Sequence, residues 1–533
     1  MPPFSTSIQE PDRASPCVLD GGASFSHGTA KKVREDEQPK AAGRPLQLLL
    51  LILIVMAAVL RIIATRNDLW LDELISLKIA QAVKTPWQIF TAVHSDNNHY
   101  VNTIFLYFMK RQADGAADRY LSVLWGIALV PAGYWLLARR SQLEALILSG
   151  LLAFSYPLIH FSSEARGYSG AVLGLMLACG TISRWIVARL NSQKVCHSER
   201  SEEPAVFLER PWLRGAIYSA GLVLALLSHL TAALVWFALA AGSLIAVVGR
   251  AERRKWIGQW AAFNTLPAAV LLALYFFDLR YLSELGGSPM SVMHGLSRLL
   301  ALGIGWPAKD AISVWILLLP LVGLIVWHLL REKKSGEPLS ILLAAIYILP
   351  LLCTLAMRPT FFSPRYFLVV LPFFYVSLAM LLGQLARVRG GRFVVVSLLI
   401  LFFAGQARLY VELLQVGRGQ YRSALTYMMA HTTSADVTVA SNQDFRSHIE
   451  LAYYVPRVMG TRQLLYGPAE GSRSFQPEWY ILHQEGCEAP GPERWTGPGQ
   501  TQWHRAAYFG ASELSGQAWT IYQRLPPGAS PSD

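Results

Sequence analysis

Charged residues are scarce, 15% of a 533-residue chain against roughly 25% in an average soluble domain, and that deficit argues against a soluble enzyme. Cysteine is sparse too. The five residues, Cys17, Cys179, Cys196, Cys353 and Cys487, include no pair at metal-ligand or redox spacing, so neither a disulfide framework nor a zinc knuckle is supported. Glycine and proline, 40 and 29 residues, stay near ordinary usage, which excludes collagen-like and wholly disordered chains. Asp and Glu number 35 against 47 Lys and Arg, a net charge of +12. The basic residues lie in short clusters between apolar runs rather than along one polar face. The excess therefore points to membrane topology and away from nucleic acid.

Apolar length is what the chain has in quantity, with 53% hydrophobic residues. About eleven runs approach the length that crosses roughly 30 Å of hydrocarbon, and backbone satisfaction in lipid makes them helices. They lie at 46–64, 120–138, 143–161, 167–188, 214–229, 231–249, 257–277, 311–330, 339–357, 366–386 and 393–411. The first run begins too far along for an ordinary signal peptide, and Arg61 to Asn67 offers no clear small-residue cleavage site. It is expected to stay attached.

With the N-terminus in the cytoplasm, every second connection is basic: Lys31, Lys32, Arg34, Lys40 and Arg44; Arg139 and Arg140; the stretch from Arg189 to Arg214; Arg250, Arg253, Arg254 and Lys255; Arg331, Lys333 and Lys334; and Arg387, Arg389 and Arg392. The alternation holds only if Tyr100 to Met109 does not cross, so that short segment reads as an interfacial helix. Three domains follow. Residues 1–45 read as a disordered cytoplasmic arm, 46–411 as the transmembrane domain with an external loop at 65–118, and 412–533 as a small extracytoplasmic α/β domain. The last is expected to contain helices near Tyr421 to His431 and Phe445 to Tyr454, with strands at Asp436 to Ala440, Trp479 to His483 and Trp519 to Arg524. The polar stretch from Cys196 to Glu203 reads as a cytoplasmic loop without assignable chemistry.

Ionisable residues gather at the outer ends of the spans, where a lipid-linked substrate would place its polar head. The external loop carries Asp68, Asp72 and Glu73, then His94, Asp96 and His99. Arg119 opens the second span, Glu164-Ala165-Arg166-Gly167-Tyr168 joins the third to the fourth, and His229 lies at the fifth-to-sixth turn. Arg358 and Pro364-Arg365-Tyr366 lie between the ninth and tenth. Ionisable groups at membrane depth are expensive and mark functional candidates. Carboxylates able to act as a base, beside arginines able to grip a phosphate through paired donors, suit transfer of a group from a phosphate leaving group.

Plainer readings stand beside these. Asp72 and Glu73 serve equally as caps for the following helix, and on that helix they point about 100° apart, unlike an equivalent acid/base pair. Asp96 and His99 fit ordinary loop polarity, or with Glu73 a divalent metal site. Arg166 and Arg365 fit headgroup anchors, His229 reads as a helix-turn residue rather than a ligand, and the tryptophans and tyrosines fit interface belts.

The same residues resemble a known family. Leu69-Trp70-Leu71-Asp72-Glu73, soon after the first span, looks like the first external loop of polyprenyl-phosphate-dependent glycosyltransferases with the GT-C fold. More closely, the chain resembles bacterial family 39 members, relatives of protein mannosyltransferases and of the lipid A aminoarabinose transferase. His94 to Thr103 occupies the place of the family's Asp-x-His-Pro-Pro-Leu-like helix, with Asn98 to Val101 where prolines are usual. Asp118-Arg119-Tyr120-Leu121-Ser122 matches an Arg that opens the second span. Glu164 to Tyr168 resembles Glu-Ala-Arg-Pro-Tyr with Gly167 for proline, and Pro364-Arg365-Tyr366 resembles a late Pro-Arg-Tyr. The resemblance covers roughly residues 46 to 455, in matching order.

It implies an α-helical multi-pass GT-C-like protein of the bacterial plasma membrane, moving a sugar from a polyprenyl-phosphate donor to an acceptor hydroxyl on the extracytoplasmic face, with inversion. Mannosyltransferase-like hexosyl transfer is the nearest activity. Asp72 would be the base and Glu73 would orient the acceptor or Asp72, while Arg119, Arg166, Tyr168, Arg365, Tyr366, Asp96 and His99 would bind the carrier phosphate or sugar. The acceptor, whether protein, lipid or glycan, stays open, as does a metal. The competing expectations are a multi-pass transporter and a non-catalytic assembly protein for envelope glycans. Charges crowding one surface, rather than inverted repeats broken at the midplane, favour the enzyme.

Overall fold

The computed structural model describes residues 43–109, 115–192, 211–248, 253–282, 291–306, 311–334, 337–357, 363–432, 434–460, 462–469, 475–485 and 489–525. The expected arm before residue 43, the polar stretch at 196–203 and Arg358 lie outside the described residues.

The apolar runs are helices. In chain order they are α1 (Arg44–Ala64), α2 (Leu71–Ala82), α3 (Gln88–Thr91), α4 (Tyr100–Phe108), α5 (Tyr120–Leu137), α6 (Gln142–Phe154), α7 (Tyr156–Ser162), α8 (Tyr168–Ser192) and α9 (Pro211–Ser228). They continue with α10 (Ala232–Val248), α11 (Arg253–Phe277), α12 (Val292–Ile304), α13 (Ala311–Lys334), α14 (Pro338–Met357), α15 (Leu371–Leu385), α16 (Gly391–Val416), α17 (Tyr421–His431) and α18 (Asp444–Val458). Each of the eleven expected spans falls on one or two of these. Among the described residues, eight helices are long and apolar enough to cross a membrane, and a ninth span forms if the pair α6 and α7, bent by 56°, counts as one. The chain is thus a multi-pass helical membrane protein. Helices α10 and α15, with 17 and 15 residues, fall short of that length, and α12 is a short apolar helix outside the expected set. Nine-residue α4 rises only about 14 Å, too little to cross.

Three local devices shape the bundle. At the α6–α7 bend the carbonyls of Leu152 and Ala153 lose their helical partners, and the fully buried Arg61 guanidinium donates to both, at 3.0 and 3.1 Å. Gly126 makes room for it, since a Cβ there would lie 2.7 Å from Arg61 Nε. Helices α8 and α9 meet backbone to backbone: a Cβ on Gly174 would sit 2.2 Å from the Gly221 carbonyl oxygen, the close approach small residues allow in lipid. At the far end of α5 from Arg119, Arg140 bridges Glu144 and Glu332 while Arg387 reaches Glu144, tying α6, α13 and α15 together.

Beyond α16 the chain turns to α/β. Strands β1 (Val437–Ser441), β2 (Leu464–Tyr466), β3 (Trp479–Glu485), β4 (Arg494–Thr496), β5 (Gln502–Phe509) and β6 (Gln517–Arg524) form one sheet in the order β2-β1-β3-β6-β5-β4. The β2-β1-β3 part is parallel and the rest antiparallel. Val437, Val439, Trp479, Ile481, Trp519 and Ile521 share one core with α17 and α18, by the strand's period of two. Leu69, Trp70, Leu71 and Leu74 belong to that same core, and Tyr454 Oη donates to the Leu69 carbonyl at 2.7 Å. The first loop is therefore built partly from the sheet domain.

Candidate active site

Helix α2 opens on two adjacent acids and aims them apart. Glu73 is fully buried. Arg119 donates to it twice, Nε to Oε1 at 2.7 Å and Nη2 to Oε2 at 2.6 Å, and the Ala165 amide donates to Oε1 at 2.8 Å. The Trp70 amide reaches Oε2 at 3.3 Å, so Glu73 also closes the helix N-terminus, as the capping reading expects. Asp72 faces the other way. Its Oδ2 accepts from Arg166 Nη1 and, at 2.6 Å, from Arg365 Nη1.

Arg119 does not join that pair. Beyond Glu73 it donates to the carbonyls of Thr65, Asn67 and Asp68, at 2.7, 2.9 and 3.0 Å, and to Asn67 Oδ1 at 3.1 Å. With its donors committed and no exposure, it has nothing to offer a carrier phosphate. It fastens the loop that carries Asp72, which corrects the expectation of phosphate binding. The metal alternative at Glu73, Asp96 and His99 is not assembled either. Glu73 is occupied by Arg119, His99 Nε2 accepts from Arg166 Nε at 3.1 Å, and Asp96 is exposed. Among the described residues no three His, Cys, Asp or Glu gather closely enough to hold a metal ion. The asparagines that stand near the family's prolines are scaffolding: Asn97 Nδ2 donates to the Asp72 carbonyl at 2.7 Å and Asn98 Nδ2 to the Ile89 carbonyl at 2.7 Å. Farther along the loop, His94 pairs with Asp278 at 2.8 Å, and Tyr100 donates to the same carboxylate at 2.6 Å.

Aromatic rings floor the arginine pair. His99 lies 4.9 Å from His229 and 5.6 Å from Tyr168, centroid to centroid, and Tyr168 lies 4.4 Å from His229. Burial, and then the Arg166 guanidinium, push both imidazoles well below their ordinary range. His229 holds its turn as expected, its Nδ1 accepting from the Thr231 amide at 3.2 Å, but its ring also enters the cluster. Gly167 makes that possible. A Cβ there would lie 1.8 Å from the Ser228 carbonyl oxygen, so only glycine lets the loop before α8 press on the turn after α9.

Trp70 stands between the two arginines, its ring 5.6 Å from each guanidinium carbon. Arg166 also covers Tyr168 at 5.1 Å, and Arg365 covers Tyr366 at 5.8 Å. Three buried polar groups here have no hydrogen-bond partner: Trp70 Nε1, Tyr168 Oη and Arg365 Nε. Each such orphan costs about 1–3 kcal/mol, and three around one carboxylate mark a place for a polar ligand. One carboxylate against two guanidiniums leaves a positive charge in excess, which favours an anion.

Some contributors were not among the expected site residues. Trp70 lay inside the quoted motif without a role. Asn67 and Arg418 were not singled out, although an arginine between Gly417 and Gly419 at the end of an apolar helix is the signal that would have raised the second.

No protein-family model matches the chain, and no curated protein matches it in sequence. Among solved structures, the chain is similar to ArnT from Cupriavidus metallidurans bound to undecaprenyl phosphate, with 11% identity and a TM-score of 0.50 over 92% of this chain and 100% of that one. It is also similar, with 11% identity and a TM-score of 0.42, to the oligosaccharyltransferase AglB from Archaeoglobus fulgidus in complex with an inhibitory peptide and a dolichol-phosphate, over 82% of this chain and 69% of that one. The ArnT likeness shows the fold: this chain has the GT-C architecture of a multi-pass membrane protein with a terminal sheet domain.

Proposed function

We propose that this chain is a polyprenyl-phosphate-sugar-dependent glycosyltransferase whose site is the Asp72, Arg166 and Arg365 cluster. The observation that carries the reading is the Asp72 carboxylate clamped by two guanidiniums, with one positive charge to spare and three orphaned polar groups around it. The fold agrees with it, since the ArnT structure of that architecture holds undecaprenyl phosphate. The carrier phosphate takes up the unused Nε of Arg365 and the hydroxyl of Tyr168, and it competes with Asp72 for the arginine N–H groups. Loosened from one clamp, Oδ2 accepts the proton of the acceptor hydroxyl as that oxygen attacks the anomeric carbon. The new C–O bond forms as the anomeric C–O(phosphate) bond breaks, the electron pair leaving with the phosphate, and attack from the opposite face inverts the sugar carbon. Glu73 and Arg119 hold the base in place. The sheet domain and the site face the non-cytoplasmic side, as the basic clusters direct, in a bacterial plasma membrane.

The test is transfer of labelled sugar from a panel of polyprenyl-phosphate sugars by purified protein in liposomes supplied with membrane acceptors. Covalent transfer that disappears in Asp72→Asn supports the reading. Passage of label across the bilayer without a new glycosidic bond would make the protein a transporter instead.

A further inference from the structure

Behind the site runs a closed circuit of hydrogen bonds that reaches into the sheet domain. Arg418 lies two residues past α16 and is fully buried. Its Nε donates to Glu164 Oε1 at 3.0 Å, Nη1 to Asn67 Oδ1 at 2.9 Å, and Nη2 to the His160 carbonyl at 2.5 Å and Ser163 Oγ at 2.9 Å. Asn67 Oδ1 accepts from Arg119 as well, at 3.1 Å. Arg119 holds Glu73, and Glu73 Oε1 accepts the amide of Ala165, the neighbour of Glu164, at 2.8 Å. The circuit therefore runs Arg418, Glu164, Ala165, Glu73, Arg119, Asn67 and back to Arg418. Two of the three residues that meet in the site are one residue outside it: Asp72 precedes Glu73, and Arg166 follows Ala165.

The charges balance within the circuit. Burial alone would raise the Glu164 carboxyl, but the His160 hydrogen bond and the Arg418 guanidinium hold it well below the usual carboxylate range. Two buried cations, Arg119 and Arg418, stand against two buried carboxylates, Glu73 and Glu164, and leave no net charge in the circuit. The excess charge is confined to the Asp72 cluster.

On its other side Arg418 is gripped by the sheet domain. Its carbonyl accepts the Gln517 amide at 3.1 Å and the Tyr421 hydroxyl at 3.2 Å, and the Gly417 carbonyl accepts the Ser512 amide at 2.8 Å. Gly417 and Gly419 take φ of +61° and +149°, a left-handed path that side chains resist. A Cβ on Gly516 would lie 1.6 Å from the Arg418 carbonyl oxygen. The strap 417–419 is thus threaded between the loop 510–517 and the two loops that carry Asp72 and Arg166.

We infer that Arg418 is a positioning residue for the transfer site, through which the sheet domain sets the distance between Asp72 and Arg166. The catalytic unit then includes the sheet domain and does not end with the last membrane helix. The kinetic part of this inference rests on the transferase reading; the structural part does not.

The experiment compares full-length Arg418→Lys, which keeps the charge but loses the fork, and the double variant Glu164→Gln/Arg418→Gln, which removes both buried charges together. Three readouts are taken in detergent: thermal melting, amide hydrogen exchange over residues 65–72 and 160–168, and steady-state transfer. Both variants should fold, exchange faster in those two segments, and lose kcat by about tenfold to a hundredfold with a smaller change in donor KM, the scale of a misplacement of about 1 Å. Wild-type exchange in both segments would overturn the inference whatever the enzyme does. So would activity that falls only in proportion to the folded fraction. If the wild type transfers no sugar at all while the exchange effect appears, the transferase reading fails and Arg418 remains the organiser of the two loops.

Discussion

Arg365 Nη1 lies 2.6 Å from Asp72 Oδ2 although 293 residues separate them. The turn before α15 thereby meets the start of α2, and Arg166 reaches the same oxygen from the loop before α8. Replacing Asp72 by Asn leaves shape and size almost unchanged and removes the carboxylate proposed as the base. Turnover should fall by about a hundredfold to ten-thousandfold. Affinity for undecaprenyl phosphate should hold or tighten, because the two arginines no longer share their donors with a carboxylate. Kinetics and lipid-induced thermal shift on the same preparation check both halves, and weaker phosphate binding would count against the shared-donor arrangement.

Arg365 and Arg119 should part company under alanine substitution. Arg365→Ala removes an unused donor aimed at the site and should raise the donor KM while the protein stays folded. Arg119→Ala strands the buried Glu73 carboxylate, a loss on the order of 3–5 kcal/mol, and should appear as poor yield and early melting. Size-exclusion profiles and melting curves separate the two, and a well-folded Arg119→Ala that fails only in donor binding would return Arg119 to the phosphate.

The bundle was legible because a run of apolar residues long enough to span lipid has few other fates. Helix α12 escaped because it is a 13-residue amphipathic segment, and strands β2 and β4 because three residues show no alternation. Asp72, Arg166 and Arg365 were readable from motifs in the right order. Motif order says nothing about which carboxylate a guanidinium will face, so Arg119 was grouped with the wrong partners. Arg418 stands out between two glycines, but it meets Glu164 across 254 residues, and nothing local says which carboxylate it will face.

Gly167 stands where the resembling family has proline, and the structure supplies the reason it must be small. Gly167→Ala puts a methyl group 1.8 Å from the Ser228 carbonyl oxygen, which separates the turn after α9 from the loop before α8 and draws His229 away from Tyr168. Destabilisation of about 1–3 kcal/mol is expected, together with loss of transfer. The neighbouring Gly170 is the comparison: its Cβ would meet the Ser228 hydroxyl at 2.5 Å, a side chain that can rotate. If Gly167→Ala melts like the wild type, the close approach does not hold in the membrane.

The sheet domain contains a buried acid whose titration should be visible in its stability. Both carboxylate oxygens of Glu450 lack a hydrogen-bond partner, and burial pushes its carboxyl up from 4.5 to about 8. Nearby His483, 3.8 Å from Glu450 and bonded through Nε2 to Ser447 Oγ at 2.9 Å, is pushed by burial down from 6.5 to about 3. The signs follow from linkage. Glu450 holds its proton more tightly when folded, so its contribution is complete below pH 4.5 and is lost as pH rises toward 8. His483 sheds its proton on folding, so its contribution is complete above pH 6.5 and is lost as pH falls toward 3. The two oppose one another between 4.5 and 6.5, and above 6.5 Glu450 acts alone. Melting followed by tryptophan fluorescence should therefore drop between about pH 6.5 and 8.5 in the wild type and drop less in Glu450→Gln, with the variant gaining on the wild type as pH rises. A constant difference between the two proteins across that range would mean that Glu450 is already ionised in the folded domain.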